Sequence, residues 1–407
     1  MPKVTISNIN LEKLMPYQKV ISNISSKKSA IANTFNAHFI YHNEVLYFYK
    51  KDSMALVTLL INATIDQADP EPFGFKFDSD MFFYILSSYK KEQYPQVVFE
   101  FGEEDTPFFK IISPSDTIDL PCGRMKKDSV QEAIDYTQQT YEGQSDDLIL
   151  SEVSNRVDFL QGILECSSFV SKDDKVFNPI IVYKDKLFIK DGRMIIYEHS
   201  FLEPMSFDNN TFFFIHKKAI ETIKSLMSSG IEFSMAITLD LSNDSKVYIA
   251  TDDFSMIVNN SFSKIIPPDA SDLEKMVYSH NSICTLPLSV LFETCSFFSG
   301  FFESANDWNP IAIEAVPNVG LVFSIKSAKS DEVKACNVKR KIETELTFTE
   351  QPSSVLVSNN YLTAFLSLVK EKKADPMVEL KWDDVKKSLN IVSGNKKAFL
   401  AKMIERK

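Results

Sequence analysis

The hydrophobic pattern of the chain switches between helical and strand spacing in a fixed order. Residues 11–24 place apolar side chains at helical spacing, although Pro16 weakens this prediction or shifts the start of the helix. Residues 36–49 and 54–65 then alternate, with the aromatic and β-branched content of strands. A second helix is predicted after Asp78, whose carboxylate suits an N-cap, and strand spacing returns after it. The first third of the chain therefore predicts helix, strands, helix, strands.

The same order appears again in the middle of the chain. The first helix of this second copy is predicted to bury a face made of Val153, Val157, Leu160 and Leu164. Strands are predicted in residues 178–199, and a second helix in residues 216–227. That helix would turn inward Ile220, Ile223 and Met227, and outward Lys217, Glu221 and Lys224.

A third copy begins at residues 286–302 and continues with strands, a helix near Asn359 and final strands. An Asn-Pro dipeptide precedes the first strand in both the second and the third copy, at Asn178-Pro179 and Asn309-Pro310. Because the two dipeptides lie in register, each after an apolar helix, they support an internal repeat with a period of roughly 140 residues.

The repeats predict an α+β fold of three domains, each with two helices that cover β-sheets. The predicted domains are residues 1–125, 148–267 and 268–407. Residues 126–147 are rich in Gln, Ser, Asp and Tyr and are interpreted as a linker. A chain of 407 residues fits this count, since a domain usually contains about 100–200 residues.

The net charge of −11 limits how the protein contacts nucleic acid. Coating DNA by bulk electrostatics requires many Lys and Arg side chains against phosphates, so any DNA contact is expected to be local or topological. The ten glycines form no phosphate-binding loop, which argues against nucleotide hydrolysis. No apolar stretch approaches ~18 residues and no leader pattern is seen, so a cytoplasmic protein without membrane contact is expected.

The residue types that usually carry catalysis or bind metals are scattered. The five cysteines are odd in number and form no Cys-x-x-Cys pair, so they are interpreted as reduced core residues. His38 and His42 lie about 13 Å apart on a predicted strand, with no adjacent Cys or Asp cluster to complete a metal site. The acidic pair Asp252-Asp253 is better explained as part of a turn. No metal and no cofactor is predicted, and an enzymatic function is disfavoured.

Residues 357–403 carry an Asn-x-x-Tyr-Leu helix, a strand, a polar turn, a strand and a short apolar tail. This order resembles the closing signature of the bacterial β-type DNA sliding clamp family (DNA polymerase III β subunit), with the matching residues Asn359 or Asn360, Tyr361, Leu362, Phe365 and Leu366. Lys190–Met194 resembles the family's Asp-Gly turn, and Phe262–Pro268 resembles its connector between domains. The turn lacks the family's Thr and Arg positions, and the connector lacks its first Pro and its Tyr. These departures indicate a divergent member and are compatible with a phage-encoded protein.

The resemblance implies a ring. In that family each domain packs two helices on sheets, and the helices line a hole that encircles double-stranded DNA. The resemblance further implies a head-to-tail homodimer with six domains, without catalytic chemistry, that tethers a DNA polymerase by a short peptide. An ATP-driven clamp loader is implied as a second partner, in the cytoplasm of a bacterial cell or an infected host cell.

Lysines in or beside the repeated helices are the candidate DNA-binding residues. Any single lysine pair is more simply a solvated surface, but the pairs recur at helices that the family points into the hole. The predicted DNA-facing cations are Lys27, Lys28, Lys90, Lys91, Lys217, Lys218, Lys224, Lys372 and Lys373.

The candidate partner-binding pocket follows from the family's Asp-Gly turn, connector and C-terminal tail. Carried over to this sequence, the pocket residues are Gly192, Met194, Ile195, Ile266, Pro267, Leu400, Met403 and Ile404. For Leu400, completion of the last strand is an equally good explanation. Met403 and Ile404 lie beyond that strand, where an apolar tail stays ordered only if it packs on something.

Two other function classes remain open from the residues. One is an interaction or transcription-coupling factor that keeps the clamp fold but never encircles DNA, and a monomeric chain would favour it. The other is an enzyme that acts on nucleic acid. The lack of nucleophile, metal and phosphate motifs in the sequence argues against that enzyme.

Overall fold

The computed structural model describes residues 4–7, 9–22, 24, 35–52, 54–62, 64–65, 71–90, 97–101, 108–141, 157–170, 178–191, 195–205, 212–239, 245–260, 282–302, 309–325, 338–347, 353–370, 374–382 and 388–401. The chain divides into two compact units. The first unit is Met1–Arg156 with Ile215–Ser263, and the second unit is Val157–Phe214 with Lys264–Lys407.

The described helices and strands are numbered in chain order. The helices are α1 (Leu11–Leu14), α2 (Gln18–Ser22), α3 (Ser79–Ser87), α4 (Lys127–Tyr141), α5 (Val157–Cys166), α6 (Lys217–Ser228), α7 (Leu288–Ser299) and α8 (Asn359–Val369). The strands are β1 (Val4–Ser7), β2 (Ala37–His42), β3 (Val45–Lys51), β4 (Ala55–Ile61), β5 (Thr64–Ile65), β6 (Phe73–Phe77), β7 (Val98–Phe101), β8 (Phe108–Ile112), β9 (Thr117–Arg124), β10 (Ile180–Val182), β11 (Lys186–Asp191), β12 (Ile195–Ser200), β13 (Phe213–Ile215), β14 (Ser234–Leu239), β15 (Ser245–Ala250), β16 (Phe254–Asn260), β17 (Ser282–Pro287), β18 (Pro310–Val316), β19 (Gly320–Ile325), β20 (Val338–Ile342), β21 (Ser353–Ser358), β22 (Met377–Trp382), β23 (Leu389–Ser393) and β24 (Lys396–Leu400).

Three antiparallel sheets organise the described strands, which confirms the predicted α+β class. A 12-stranded sheet in the first unit has the order β14-β15-β16-β4-β3-β2-β6-β9-β8-β7-β1-β5. An eight-stranded sheet has the order β13-β10-β11-β12-β24-β23-β22-β17, and a four-stranded sheet in the second unit has the order β20-β19-β18-β21. Because β16 pairs with β4 and β12 pairs with β24, strands from successive repeats are joined within continuous sheets.

Pro16 divides the first helix of the chain. The residue lies in a 3₁₀ turn, Met15–Tyr17, between α1 and α2, because proline lacks the N–H that an uninterrupted α-helix would use there. The apolar face predicted for this segment is nonetheless buried, and it consists of Leu11, Leu14, Ile21 and Ile24.

Local signals set the start of α3 and the turn of the β2–β3 hairpin. The Asp78 carboxylate accepts hydrogen bonds from the backbone N–H groups of Asp80 and Met81, so it caps α3 as its sequence position indicates. Asn43 and Glu44 join β2 to β3 with positive φ values of 49° and 62°, the geometry of a tight hairpin turn.

Phenylalanine rings fill the interior of the first unit. Phe39 stacks on Phe77 with 4.4 Å between ring centroids, and four further rings surround the pair within 6.0 Å of Phe39 or Phe77: Phe48, Phe82, Phe99 and Phe109. All six are fully buried. The many phenylalanines of this unit therefore supply packing rather than exposed stacking surfaces for bases.

The segment interpreted as a linker contains helix α4. Val130, Ala133 and Ile134 are buried against Ile40 and Tyr49 of the first sheet. Their spacing is that of one helix face, while polar side chains occupy positions between them and dominate the composition. Over its helical part, the predicted linker is thus a packed element of the first unit.

Helix α5 buries a different face from the predicted one. Its interior positions include Phe159, Ile163 and Cys166, whereas Val157 is 82% exposed. Leu160 and Leu164 are only partly buried, and Val153 lies outside the described residues. Two apolar stripes overlap in this helix, and the stripe that contains the large Phe159 ring is the buried one. In α6, Ile220 and Ile223 are buried as predicted, but Leu226 takes the interior position assigned to Met227.

The two Asn-Pro dipeptides occupy equivalent structural positions. Asn178 and Asn309 are both buried just before β10 and β18. The Asn178 amide donates to the Phe169 carbonyl at 2.9 Å, and the Asn309 carbonyl accepts from the Asn359 N–H at 2.8 Å. The Asn178 side chain thus contacts the helical segment that precedes its strand, whereas the Asn309 backbone contacts the start of α8. Both asparagines precede the first strand of a repeat, but they contact different elements.

Candidate functional site

Helix α6 gathers most of the described candidate DNA-binding residues. Strand β13 leads into this helix, and the His216 side chain caps it by accepting from the Lys218 N–H at 3.3 Å. Lys217, Lys218 and Lys224 all lie on the helix, with Glu221 as its one acidic residue. The helix thus carries a net charge of +2, from three lysines and one glutamate.

Lys218 is engaged inside the first unit. Its ammonium group pairs with the Asp52 carboxylate, and its side chain is 17% exposed. Burial lowers the pKa of Lys218 to about 8, with Glu221 opposing and Lys50 adding to that shift. Helix spacing alone does not reveal the Asp52 carboxylate, which is contributed by the loop after β3. The DNA-binding role of Lys218 stays a prediction.

Lys217 and Lys224 occupy the outer face of α6, as predicted. The Lys217 Nζ lies 3.9 Å from Glu221 Oε1 one turn along the helix, and Lys224 is exposed. Lys90 is exposed just after α3. The other predicted cations lie outside the described residues, namely Lys27, Lys28, Lys91, Lys372 and Lys373.

Three further lysines of the first unit were not among the predicted DNA-binding residues. Lys13 and Lys19 are exposed on α1 and α2, on the face opposite the buried apolar residues, a position that their helical spacing already indicates. Lys50 is fully buried, and its Nζ donates to the Ile21 carbonyl at 3.2 Å and to Ser79 Oγ at 2.9 Å. Burial lowers the pKa of Lys50, and Asp80 and Asp78 oppose that shift. No sequence pattern marks Lys50 as buried, because it stands beside a second lysine, Lys51, which is exposed.

The helices of the second unit present a different surface. Helices α5, α7 and α8 contain no Lys, Arg or His, and they carry the acidic residues Asp158, Glu165 and Glu293. Lys370 follows α8 directly, with its Nζ 4.9 Å from the Phe292 ring centroid. The cations on described helices are therefore confined to the first unit.

The predicted partner pocket is described only in part. Ile195 and Leu400 pair with each other at the ends of β12 and β24. Leu400 is 1% exposed and also pairs with Leu389, so it completes the last strand, which was the structural alternative for this residue. The other pocket residues lie outside the described residues: Gly192, Met194, Ile266, Pro267, Met403 and Ile404.

A buried carboxylate organises the β12–β24 strand pair. Glu165, on α5, is 3% exposed and its Oε2 accepts from Tyr197 Oη at 2.6 Å and contacts His199 Nδ1 at 2.8 Å. Its Oε1 lies 2.8 Å from Lys396 Nζ and 2.9 Å from Gln161 Nε2. We call these five residues the Glu165 cluster.

The Glu165 cluster keeps its carboxylate ionised. Burial alone would raise the pKa of Glu165, but the hydrogen bonds from His199, Gln161, Lys396 and Tyr197 together lower the pKa to about 2. Burial also raises the pKa of the Tyr197 hydroxyl, so that group acts as a donor. The cluster has four donors and no nucleophile, which makes it a structural ion pair rather than a reaction centre.

A metal-binding cluster and a membrane-spanning helix were both sought among the described residues. No group of three or more His, Cys, Asp or Glu side chains within them has the geometry to hold a metal ion. No helix in the described ranges is long and apolar enough to cross a bilayer. An open cleft of about 680 Å³ lies beside the β18–β19 turn and residues 341–346, and it contains none of the predicted pocket residues.

Comparison with solved structures identifies the fold over the whole chain. The structure is similar to the β sliding clamp of Caulobacter crescentus, with a TM-score of 0.73, 13% identity and coverage of 99% of this chain and 100% of that one. It is also similar to the sliding clamp (DNA polymerase III subunit beta) of Bartonella birtlesii bound to griselimycin, with a TM-score of 0.71, 14% identity and 99% coverage of both chains. The structure is likewise similar to the Helicobacter pylori β clamp bound to a DNA ligase peptide, with a TM-score of 0.68, 12% identity and coverage of 99% of this chain and 100% of that one.

No protein-family model matches the sequence, and no curated protein matches it. The likeness is therefore one of fold, spread over the complete length of the compared clamps. This confirms the clamp fold that the sequence resemblance predicted.

Proposed function

We propose that this protein is a DNA sliding clamp, a non-enzymatic ring that encircles double-stranded DNA and tethers a polymerase or other partners. The observation that carries the proposal is the clamp fold over 99% of the chain. The ring is a head-to-tail homodimer, because three repeats are too few to surround a duplex. An ATP-driven loader opens it in the cell.

The DNA contacts in this proposal come mainly from α6. Lys217 and Lys224 lie on its outer face, and Lys13 and Lys19 add exposed charge in the same unit. A small set of exposed helix lysines on a chain with a net charge of −11 suits a protein that holds DNA topologically, since contacts with phosphates carry no sequence information. We expect Lys217→Glu with Lys224→Glu to reduce the salt slope of DNA binding by about 0.9 for each phosphate that the variant no longer neutralises. An unchanged slope would place both lysines away from DNA.

Encirclement has a topological test that needs no loader. The protein is diluted until the ring dissociates, mixed with nicked circular plasmid, concentrated and separated from free protein by gel filtration. Protein should elute with the circle and leave it after cleavage at a single site, because a ring slides off free ends. Equal retention on circular and linear plasmid would indicate simple binding and contradict the proposal.

Partner binding is proposed for the surface formed by the Asp-Gly turn, the connector and the C-terminal tail. One compared clamp is bound to a DNA ligase peptide, which supports a peptide site in this fold. We expect Met403→Ala with Ile404→Ala to weaken binding of a fluorescent clamp-binding peptide at least tenfold, about 1.4 kcal/mol. The melting temperature and ring mass should stay as in the wild type. Unchanged affinity in an assembled variant would place the partner site elsewhere.

A second candidate is a clamp-fold interaction or transcription-coupling factor that does not encircle DNA. The specific observation in its favour is that α5, α7 and α8 themselves contain no Lys, Arg or His, combined with the net charge of −11. A chain that stays monomeric at micromolar concentration and is never retained on circular plasmid would establish this candidate over the ring.

A further inference from the structure

The sheets of the two units share one strand order where successive repeats meet. In the first unit the order is β14-β15-β16-β4-β3-β2, and in the second unit it is β22-β23-β24-β12-β11-β10. The turn between β3 and β4 therefore corresponds to the Asp-Gly turn between β11 and β12, and the end of β16 corresponds to the end of β24. Because the Asp-Gly turn and the tail after β24 belong to the proposed partner site, the first unit contains a counterpart of that site.

Helix α4 lies on this counterpart. It packs on β2, β6 and β16 of the first sheet. Glu132 of α4 has its Oε1 3.9 Å from the Nζ of Lys51, which ends β3 just before the β3–β4 turn. Since α4 belongs to the segment between the first and second repeats, it corresponds to the connector of the partner site between the second and third repeats.

The sheet face beneath α4 is apolar at its centre. Phe39 and Phe48 point to the opposite face, where their rings pack on α3. Side chains alternate along a strand, so Ile40 and Tyr49 point toward α4. These two residues form one buried cluster with apolar residues of α4, and Leu56 of β4 packs against it. We call the face with Ile40, Tyr49 and Leu56 the covered face.

The edge of the covered face is basic, and α4 is acidic. Lys76 pairs with His38 in the sheet register, and Lys51 pairs with Leu56, so both lysines belong to this face. Helix α4 contains one lysine and three acidic residues, and the acidic residues are exposed: Asp128, Glu132 and Asp135. An apolar centre with a basic edge fits an amphipathic helix that carries acidic side chains.

Two hydroxyl groups on the covered face are buried without hydrogen bonds. Thr58 of β4 pairs with Tyr49 on one side and with Ser255 of β16 on the other. Thr58 is 1% exposed and Ser255 is 6% exposed, and neither hydroxyl has a hydrogen-bond partner in the described part of the chain. A buried hydroxyl without a partner costs free energy. The resting arrangement therefore leaves part of this face unsatisfied.

Helix α4 is held by few apolar side chains. Between Lys127 and Asp135 the buried residues are Val130, Ala133 and Ile134. A helix of this length is marginal by itself in water, and segments with few buried apolar contacts open most readily. The phenylalanine core lies on the other side of the sheet, so α4 can leave the covered face without exposing that core.

We propose that the covered face is a second partner-binding surface, which α4 occupies in the resting chain. An acidic amphipathic helix of a partner protein takes the place of α4 when α4 is displaced. The inference rests on the proposed clamp function and adds a site to it: one partner site stays accessible beside β12 and β24, and another is masked beside β4 and β16. Masking weakens a competing helix by the fraction of chains in which α4 is released.

The test uses the full-length protein and a fluorescent synthetic peptide of residues 126–141, with binding followed by anisotropy. Ile134→Asp places a charge on the buried side of α4 and should release it, so this variant should bind the peptide at least tenfold more tightly than the wild type. Gln131→Asp makes the same charge change on the exposed side and should behave as the wild type. Adding Leu56→Asp to Ile134→Asp should abolish the gained binding.

Hydrogen exchange measured by mass spectrometry reports whether α4 has left the sheet. In Ile134→Asp, exchange should accelerate in residues 127–141 and stay unchanged in β2 and β3. Released α4 without tighter peptide binding would overturn the inference, as would equal binding by the Ile134→Asp and Gln131→Asp variants.

A milder variant covers the case in which Ile134→Asp unfolds the first unit. Ile134→Ala shortens the side chain without adding a charge and is measured in the same way. Unfolding by Ile134→Ala as well, seen by circular dichroism, would show that α4 cannot leave and would overturn the inference. Retention of the wild type on circular plasmid tests the clamp function separately, so the two results identify which proposal fails.

Discussion

Strands of successive repeats pair at two places, β4 with β16 in the first unit and β12 with β24 in the second, which we call the two internal junctions. The two junctions rely on different chemistry. At β4–β16 the contact is an aromatic stack, Tyr17 on Phe254, with the Lys13–Asp253 ion pair at the surface. At β12–β24 the centre is the buried carboxylate of Glu165, surrounded by four donors. The comparison shows that the strand pairing sets the geometry of a junction, while the side chains beneath it are free to differ.

This difference predicts that substitutions at the two junctions lower the free energy of unfolding by unequal amounts. An aromatic stack or a surface ion pair contributes modestly to the free energy of unfolding, so its removal should destabilise the protein only slightly. A buried carboxylate that loses its cationic partner still carries the cost of desolvation, and nothing compensates for it. Removal of the partner should therefore lower the free energy of unfolding strongly. Both tryptophans of the chain, Trp308 and Trp382, belong to the second unit, so tryptophan fluorescence reports the unfolding of that unit separately.

The largest effect is expected for Lys396→Met. This change leaves the Glu165 carboxylate buried without its cation, which should lower the free energy of unfolding of the second unit by about 3–5 kcal/mol. Urea unfolding followed by tryptophan fluorescence measures the loss. Lys381→Met is the matched control, because Lys381 pairs with Glu379 at 2.9 Å in a partly exposed position. Adding Glu165→Gln to Lys396→Met should recover part of the loss, and no recovery would mean that the lysine acts through packing alone.

The next effect is a loss of stability in acid. The folded-state pKa of Glu165 is about 2, below the ordinary value of 4.5, so its contribution is fully present above pH 4.5 and disappears as the pH falls through 2. The shift corresponds to about 3 kcal/mol. Urea titrations between pH 5 and pH 2 should show a steeper decline for the wild type than for Glu165→Gln. Parallel curves for the two proteins would mean that other carboxylates control the acid response.

At the first junction, Tyr17→Phe should cost about 1 kcal/mol. The substitution keeps the stack on Phe254 but removes the hydrogen bond between Tyr17 Oη and Thr251 Oγ1, which spans 2.9 Å. A shift of the urea unfolding curve measured by circular dichroism, with the curve measured by tryptophan fluorescence unchanged, would assign the loss of stability to the first unit. Tyr248→Phe on β15 should stay within about 0.5 kcal/mol. If Tyr17→Phe lowered the free energy of unfolding by more than about 3 kcal/mol, the predicted difference between the two junctions would be contradicted.

The smallest effect is expected for Lys13→Met, the counterpart of Lys396→Met. Lys13 is 56% exposed and pairs with Asp253 at 3.3 Å, so the change should cost less than about 0.5 kcal/mol. The same substitution would thus have a several-fold different cost at the two junctions. Equal costs would show that burial of the carboxylate does not distinguish them.

Features with local causes could be predicted from the sequence. Asp78 as a cap and the buried face around Leu11 and Leu14 follow from spacing and hydrogen-bonding capacity within a few residues. The clamp fold itself was indicated by the order of elements in the last segment.

Features that depend on distant partners could not be predicted. Glu165, Tyr197 and Lys396 meet only because β12 pairs with β24, and Lys218 finds Asp52 across 166 positions of sequence. Helix α5 was oriented wrongly because its two apolar stripes differ in ring size rather than in pattern. Several predicted pocket and DNA-binding residues lie outside the described residues and stay predictions.

The absence of cations from the described helices of the second unit, in contrast to the three lysines of α6, has a kinetic consequence. For a chain that encloses DNA, Lys217 and Lys224 would hold a duplex through few phosphates, and each neutralised phosphate contributes only about 0.9 to the salt slope. Movement by one base pair would then break and remake very few ion pairs, so the friction along the duplex would be low. Diffusion along DNA would consequently change little with ionic strength, whereas the lifetime of the ring on DNA would depend on how long the ring stays closed.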